Sequence, residues 1–123
     1  MLRTAALLVG LAALIPLSAA SAGTAVTGLR GTVVLSPSQP VCYEGEPCSK
    51  PAVGYLLSFS RNGRVIGRAT TRADGSYRVV LGRGRYAVSF EPRRPTLTLR
   101  PTSVLVVAGN VRRVDFEIDT GLR

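Results

Sequence analysis

From Leu29 onward, hydrophobic and polar residues alternate with a period of two, and turn-forming residues interrupt the alternation roughly every eight to twelve positions. No long stretch carries a helical period. The first run, Leu29 to Leu35, places Leu29, Val33 and Leu35 on one face and ends in Ser36-Pro37-Ser38-Gln39-Pro40, which two prolines keep out of any central strand. A second run, Val53 to Ser60, predicts Val53, Tyr55, Leu57 and Phe59 inward. Asn62-Gly63 then supplies a two-residue hairpin, and Arg64 to Thr71 returns with Val65, Gly67, Ala69 and Thr71 inward.

Asp74-Gly75 makes the next reversal, before Tyr77, Val79 and Leu81. Gly82-Arg83-Gly84 turns the chain into a strand carrying Tyr86, Val88 and Phe90. Thr96 to Leu99 reads as a short edge strand, Ser103 to Val107 as a nearly continuous apolar run lying deep, and Val111 to Ile118 as a strand with Val114, Phe116 and Ile118 inward. About seven strands result, and the pattern predicts an all-β, antiparallel β-sandwich around one core.

The first 22 of the 123 residues follow a different rule. A short basic start at Arg3, an apolar stretch from Ala5 to Leu17 and the small residues Ala20-Ser21-Ala22 read as a secretory signal peptide cleaved after Ala22. The alternative is a retained membrane anchor; Pro16 and the small residues after Leu17 weigh against a span of about twenty apolar residues. The chain then divides into residues 1–22 as signal, 23–28 as a short N-terminal segment, 29–118 as the β-domain and 119–123 as a tail. The mature chain is expected to be secreted or otherwise extracytoplasmic, with no stable membrane insertion after cleavage.

Cysteine usage agrees with export: Cys42 and Cys48 are the only two, and they enclose Tyr43-Glu44-Gly45-Glu46-Pro47, which contains turn formers. The pair reads as a disulfide pinning a loop. Zinc has no companions to these sulfurs, because the chain contains no histidine. The same absence excludes Ser-His-Asp and Cys-His catalysis and the usual non-haem iron sites. Oxygen-ligand calcium sites at Glu44 and Glu46, or at Asp115, Glu117 and Asp119, are read instead as solvated acids, since the alternate strand positions of the trio lie about 7 Å apart. No cofactor, metal or catalytic residue is expected, and Lys50, the single lysine, lies in a loop and leaves no basis for an isopeptide crosslink.

The segments Pro51-Ala52-Val53-Gly54-Tyr55-Leu56-Leu57, Thr70-Thr71-Arg72-Ala73-Asp74-Gly75-Ser76-Tyr77-Arg78-Val79-Val80-Leu81 and Gly84-Arg85-Tyr86-Ala87-Val88 resemble, in order and spacing, the pattern of carboxypeptidase-regulatory-like domains. The resemblance covers about Gly31 to Ile118. It departs at Tyr55, where a small residue is usual, and at the longer cysteine-bearing loop. What it implies is a seven-stranded transthyretin-like (prealbumin-like) sandwich acting as an accessory or interaction module, without peptidase activity. The histidine-dependent enzymes of that fold have no counterpart here, because this chain has no histidine.

Charge adds the last expectation. The formal net charge is +9, and fifteen arginines carry most of the positive charge. Arg64, Arg68 and Arg72 share one parity; Asp74-Gly75 folds Arg78 back beside them, and Arg85 with Arg93 and Arg94 extends the set. This is a candidate anion-binding patch. The primary expectation is a non-catalytic module serving an unknown protein partner in the envelope or extracellular space, and the alternative is a binder of anionic envelope polymers or glycans. Nucleic acid is not an expected partner, since export removes the usual target and the outward faces carry no series of stacking aromatics.

Overall fold

The computed structural model describes residues 25–122. The signal-peptide expectation for residues 1–22 lies outside them. Within the described residues there is no helix, and ten strand segments form two sheets.

The first sheet is organised by β1 (Gly28–Ser36). On one side β1 pairs antiparallel with β5 (Ser76–Val80) along its first half and with the two-residue β2 (Lys50–Pro51) along its second. On the other side it pairs with β9 (Val111–Arg113) and β10 (Phe116–Asp119), and β7 (Thr98–Arg100) lies beyond β10. The second sheet has the order β4 (Arg64–Thr70), β3 (Leu56–Arg61), β6 (Gly84–Glu91), β8 (Ser103–Val106).

Two features depart from a seven-stranded antiparallel sandwich. There are ten strand segments, and β1 runs parallel to both β9 and β10, so the first sheet is mixed. β9 and β10 keep one register along β1 and are separated by Val114 and Asp115. In this gap Val114 N–H donates to the Arg30 carbonyl, and an Asp115 carboxylate oxygen accepts from Thr32 N–H at 2.9 Å, substituting for a ladder carbonyl. Gly31 permits that approach: a Cβ there would run into the Val114 carbonyl.

The apolar positions of both sheets meet in one core. Tyr77, Phe59 and Phe116 pack with ring centroids 5.6–6.4 Å apart, and the two buried tyrosines each find an acceptor: Tyr77 donates to the Val114 carbonyl at 2.6 Å and Tyr86 to the Gly82 carbonyl at 2.7 Å. Burial first, and the Asp115 charge second, push the Tyr77 hydroxyl well above the usual phenol range.

The inward sets Tyr77, Val79, Leu81 and Tyr86, Val88, Phe90 are buried as the alternation predicts. Three other readings are corrected. Val53 is exposed, because Gly54 at φ 74° breaks the run and the strand starts at Leu56. Val65 is exposed, because a bulge between Phe59 and Ser60 shifts the register of β4. The run Ser103 to Val107 is not deep throughout: Val104 and Val106 are buried, whereas Leu105 and Val107 face out.

The residues Thr71, Asp74, Gly75 and Tyr77 carry the chain from the second sheet to the first. The buried Thr71 hydroxyl accepts from Tyr55 N–H at 2.9 Å, and Asp74 accepts from Ser76 N–H at 2.9 Å. Gly75 sits at φ 82° and its carbonyl receives Val33 N–H. The hydrogen bond from the Ser76 side chain, then that from its backbone, hold the Asp74 carboxyl below the ordinary carboxylate range.

Candidate functional site

Along β1, Leu29, Gly31 and Val33 point into the core, so Arg30 and Thr32 point out. Register then decides their neighbours. Arg78 of β5 stands opposite Arg30 on one side and Arg113 of β9 on the other, so three exposed arginines lie abreast on three adjacent strands. The next outward level holds Ser76 and Thr32, with Asp115 beside them.

Arg72, in the connection before β5, leans over the same face, its guanidinium 3.4 Å from the Ser76 hydroxyl. Arg30, Thr32, Arg72, Ser76, Arg78 and Arg113 line a shallow cleft of about 190 Å³. Four guanidinium groups and two hydroxyls therefore offer donors to one small volume, the arrangement that holds carboxylate, phosphate or sulfate oxygens in bidentate fashion.

The electrostatics of the cleft are unbalanced. Arg113 is paired with Asp115 at 3.2 Å, and among the described residues no acid lies within ion-pair distance of Arg30, Arg72 or Arg78. For Asp115, desolvation is the largest influence and pushes its carboxyl upward. The Thr32 N–H bond and Arg113 together outweigh it, leaving the group below the ordinary range and ionised at neutral pH. Like charges directly opposite across strands destabilise a sheet, so the row carries a cost that a merely soluble surface does not require.

The candidate patch read from the sequence, Arg64, Arg68, Arg72, Arg78 and Arg85 with Arg93 and Arg94, is divided by the fold. Arg72 and Arg78 come together in the cleft. Arg68 and Arg85 lie on the second sheet, where Arg68 stands opposite Ser58 and Arg85 opposite Leu105. Arg64 faces Arg61 at the β3–β4 hairpin, beyond the bulge. Arg93 and Arg94 lie in the connection after β6. Arg30 and Arg113, absent from the parity argument, complete the row. Their signal was an outward position on strands whose pairing joins residues 83 apart, and alternation alone does not reveal such a pairing.

Of the acids considered for calcium, Asp115 is engaged with Thr32 and Arg113, Glu117 with Arg100, and Asp119 with Gly121 N–H, while Glu44 and Glu46 are exposed in the cysteine loop. Among the described residues no group of three His, Cys, Asp or Glu is placed to hold a metal ion. Cys42 and Cys48 are bonded to each other in an exposed loop, a state that persists in oxidising compartments. Among the described residues no helix is long and apolar enough to cross a membrane. No protein-family model and no curated protein matches the chain.

Proposed function

We propose that this chain is an exported, non-catalytic β-sandwich of the transthyretin-like, carboxypeptidase-regulatory-like kind that binds anionic polymers or glycans of the cell envelope. The observation that carries the reading is the row Arg78, Arg30, Arg113, with Arg72 above it. Two of its members directly face a like charge without an acid to relieve them, and a polyanion relieves all of them at once.

The polymer lies across the strands of the first sheet, its acidic groups taken by the row and by the Ser76 and Thr32 hydroxyls. Counterions released from the polymer favour the complex, so affinity falls as salt rises. Retention on immobilised heparin, eluted with a salt gradient, tests this. Arg30→Glu with Arg78→Glu should abolish retention, while Arg68→Glu with Arg85→Glu, the same change of charge on the other sheet, should leave most of it. Equal losses would reduce the effect to net charge and refute the reading.

A protein-interaction role is the second reading. It is favoured by the disulfide-pinned loop, which holds Val41 and Tyr43 more than half exposed. A partner that survives high salt and is lost on Tyr43→Ser would support it.

A further inference from the structure

One end of the sandwich is the end at which β1 begins. The connection of residues 81–83 between β5 and β6, the connection of residues 107–110 between β8 and β9 and the Asn62-Gly63 hairpin all lie there. Hydrogen bonds tie the first two to the start of β1: Leu81 N–H to the Thr27 carbonyl, Gly109 N–H to the Thr27 hydroxyl and Gly28 N–H to the Asn110 carbonyl. Arg61 joins the hairpin to this end by donating to the Arg83 carbonyl.

This end carries exposed apolar side chains from four segments: Val26 before β1, Val80 on the outer face of the first sheet, Leu105 on the outer face of the second and Val107 in the connection after β8. Val26, Val80, Leu105 and Val107 are between 41% and 70% exposed. Around them is a collar of arginines: Arg83 in the connection of residues 81–83, Arg61 and Arg64 flanking the hairpin, Arg85 opposite Leu105 and Arg112 opposite Leu29; next along the first sheet comes the row of Arg30.

All seven acids of the chain lie away from it. Asp115, the nearest, is level with Thr32 in the middle of β1, and Asp74 lies beyond the level of Val33. Glu117 and Asp119 pair with Val34 and Ser36, and Glu91 ends β6. Glu44 and Glu46 sit in the loop between the end of β1 and β2. One half of the molecule is thus purely cationic with an apolar tip, and the other holds every negative charge.

We infer that this end docks reversibly on an anionic phospholipid surface. The valines and Leu105 enter the boundary between headgroups and acyl chains, and the collar arginines take headgroup phosphates. The molecular dipole turns the tip toward the membrane before contact. The short apolar side chains provide attachment to the surface and no span. This goes beyond the polymer reading: of the tip residues only Val80 shares the face of the cleft, and docking through the end of the sandwich leaves the rest of the first sheet's face free along the envelope.

Co-sedimentation with vesicles of phosphatidylglycerol and phosphatidylcholine, against phosphatidylcholine alone, tests it. All variants share one N-terminus, so any contribution from that segment cancels. Binding is expected only to the anionic vesicles. Arg83→Glu with Arg85→Glu should lower partition roughly twentyfold or more, whereas Arg93→Glu with Arg94→Glu, the same charge change at the far end, should lower it far less. Leu105→Ser with Val107→Ser, on the other sheet and the connection after it, should lower partition while retention on heparin persists, which separates this inference from the polymer reading. Equal losses from the two arginine pairs, partition unaffected by the Leu105 and Val107 substitutions, or no binding to anionic vesicles would each overturn it.

Discussion

Replacing Arg30 with glutamine should make the fold more stable and the protein a poorer binder of anions. Glutamine keeps much of the apolar stem and removes the charge. Arg30 faces a like charge on both sides, Arg78 across an antiparallel pair and Arg113 across a parallel one. A directly opposed like-charge pair costs about 0.2–1 kcal/mol. The pair with Arg113 belongs at the low end, because Asp115 lies 3.2 Å from that guanidinium and offsets part of its charge. Removing both repulsions therefore stabilises by about 0.5–1 kcal/mol, which in a domain of this size raises Tm by about 2–8 °C.

Thermal melts followed by circular dichroism at low salt would read that rise. In about 1 M salt the Debye length shrinks to about 3 Å and most of the gain should vanish, because the native repulsion is then already screened. Arg100→Gln is the control of opposite sign, since Arg100 on the same sheet stands opposite Glu117 and pairs with it. An Arg30→Gln protein that melts no higher than the parent at low salt, or whose gain ignores salt, would show that the row carries no repulsion. No ligand would then be needed to explain why the row is held.

Other expectations follow from single contacts. Thr71→Val leaves Tyr55 N–H without the acceptor it has at 2.9 Å, and should cost about 1–3 kcal/mol in urea unfolding. Gly31→Ala drives a Cβ into the Val114 carbonyl, part of a backbone that cannot yield cheaply; a loss of about 1–3 kcal/mol is expected in the same assay. Asp115 has a depressed pKa, so its stabilisation is present above the ordinary carboxylate value of about 3.9 and is lost as pH falls through the lower folded value. Asp115→Asn should therefore be less stable than the parent at neutral pH, with the difference closing below about pH 4 in melts across a pH series.

Alternation was a sound guide where one face of a strand met the core and the other met water, as at Tyr77, Val79, Leu81 and at Tyr86, Val88, Phe90. It misled where local backbone changed the phase. Gly54 at positive φ delayed β3, and the bulge after Phe59 turned Val65 outward, although neither event alters hydrophobicity. Ser103 to Val107 hid its period because both of its faces are apolar, and one of them belongs to the exposed tip. The candidate site was half legible. Arg72 and Arg78 follow from parity and a local turn, whereas Arg30 and Arg113 meet only through the parallel pairing of β1 with β9.

That division bears on whether so many arginines reflect function or only a composition rich in arginine. A compositional bias raises the number of arginines wherever an exposed position tolerates one, and it has no means of clearing acids from one end of the fold or of setting like charges opposite one another. The fold displays both: arginines occur at either end, the acids all lie at or beyond the level of Thr32, and like charges stand abreast at Arg30. Exchanging Arg78 for an acid would give Arg30 a cross-strand partner and a more stable sheet with no change in the core. A surface serving solubility alone gains nothing by forgoing that pair, whereas a surface that must meet an anion loses its site by gaining it. The placement of the arginines, and not their number, therefore carries the functional argument.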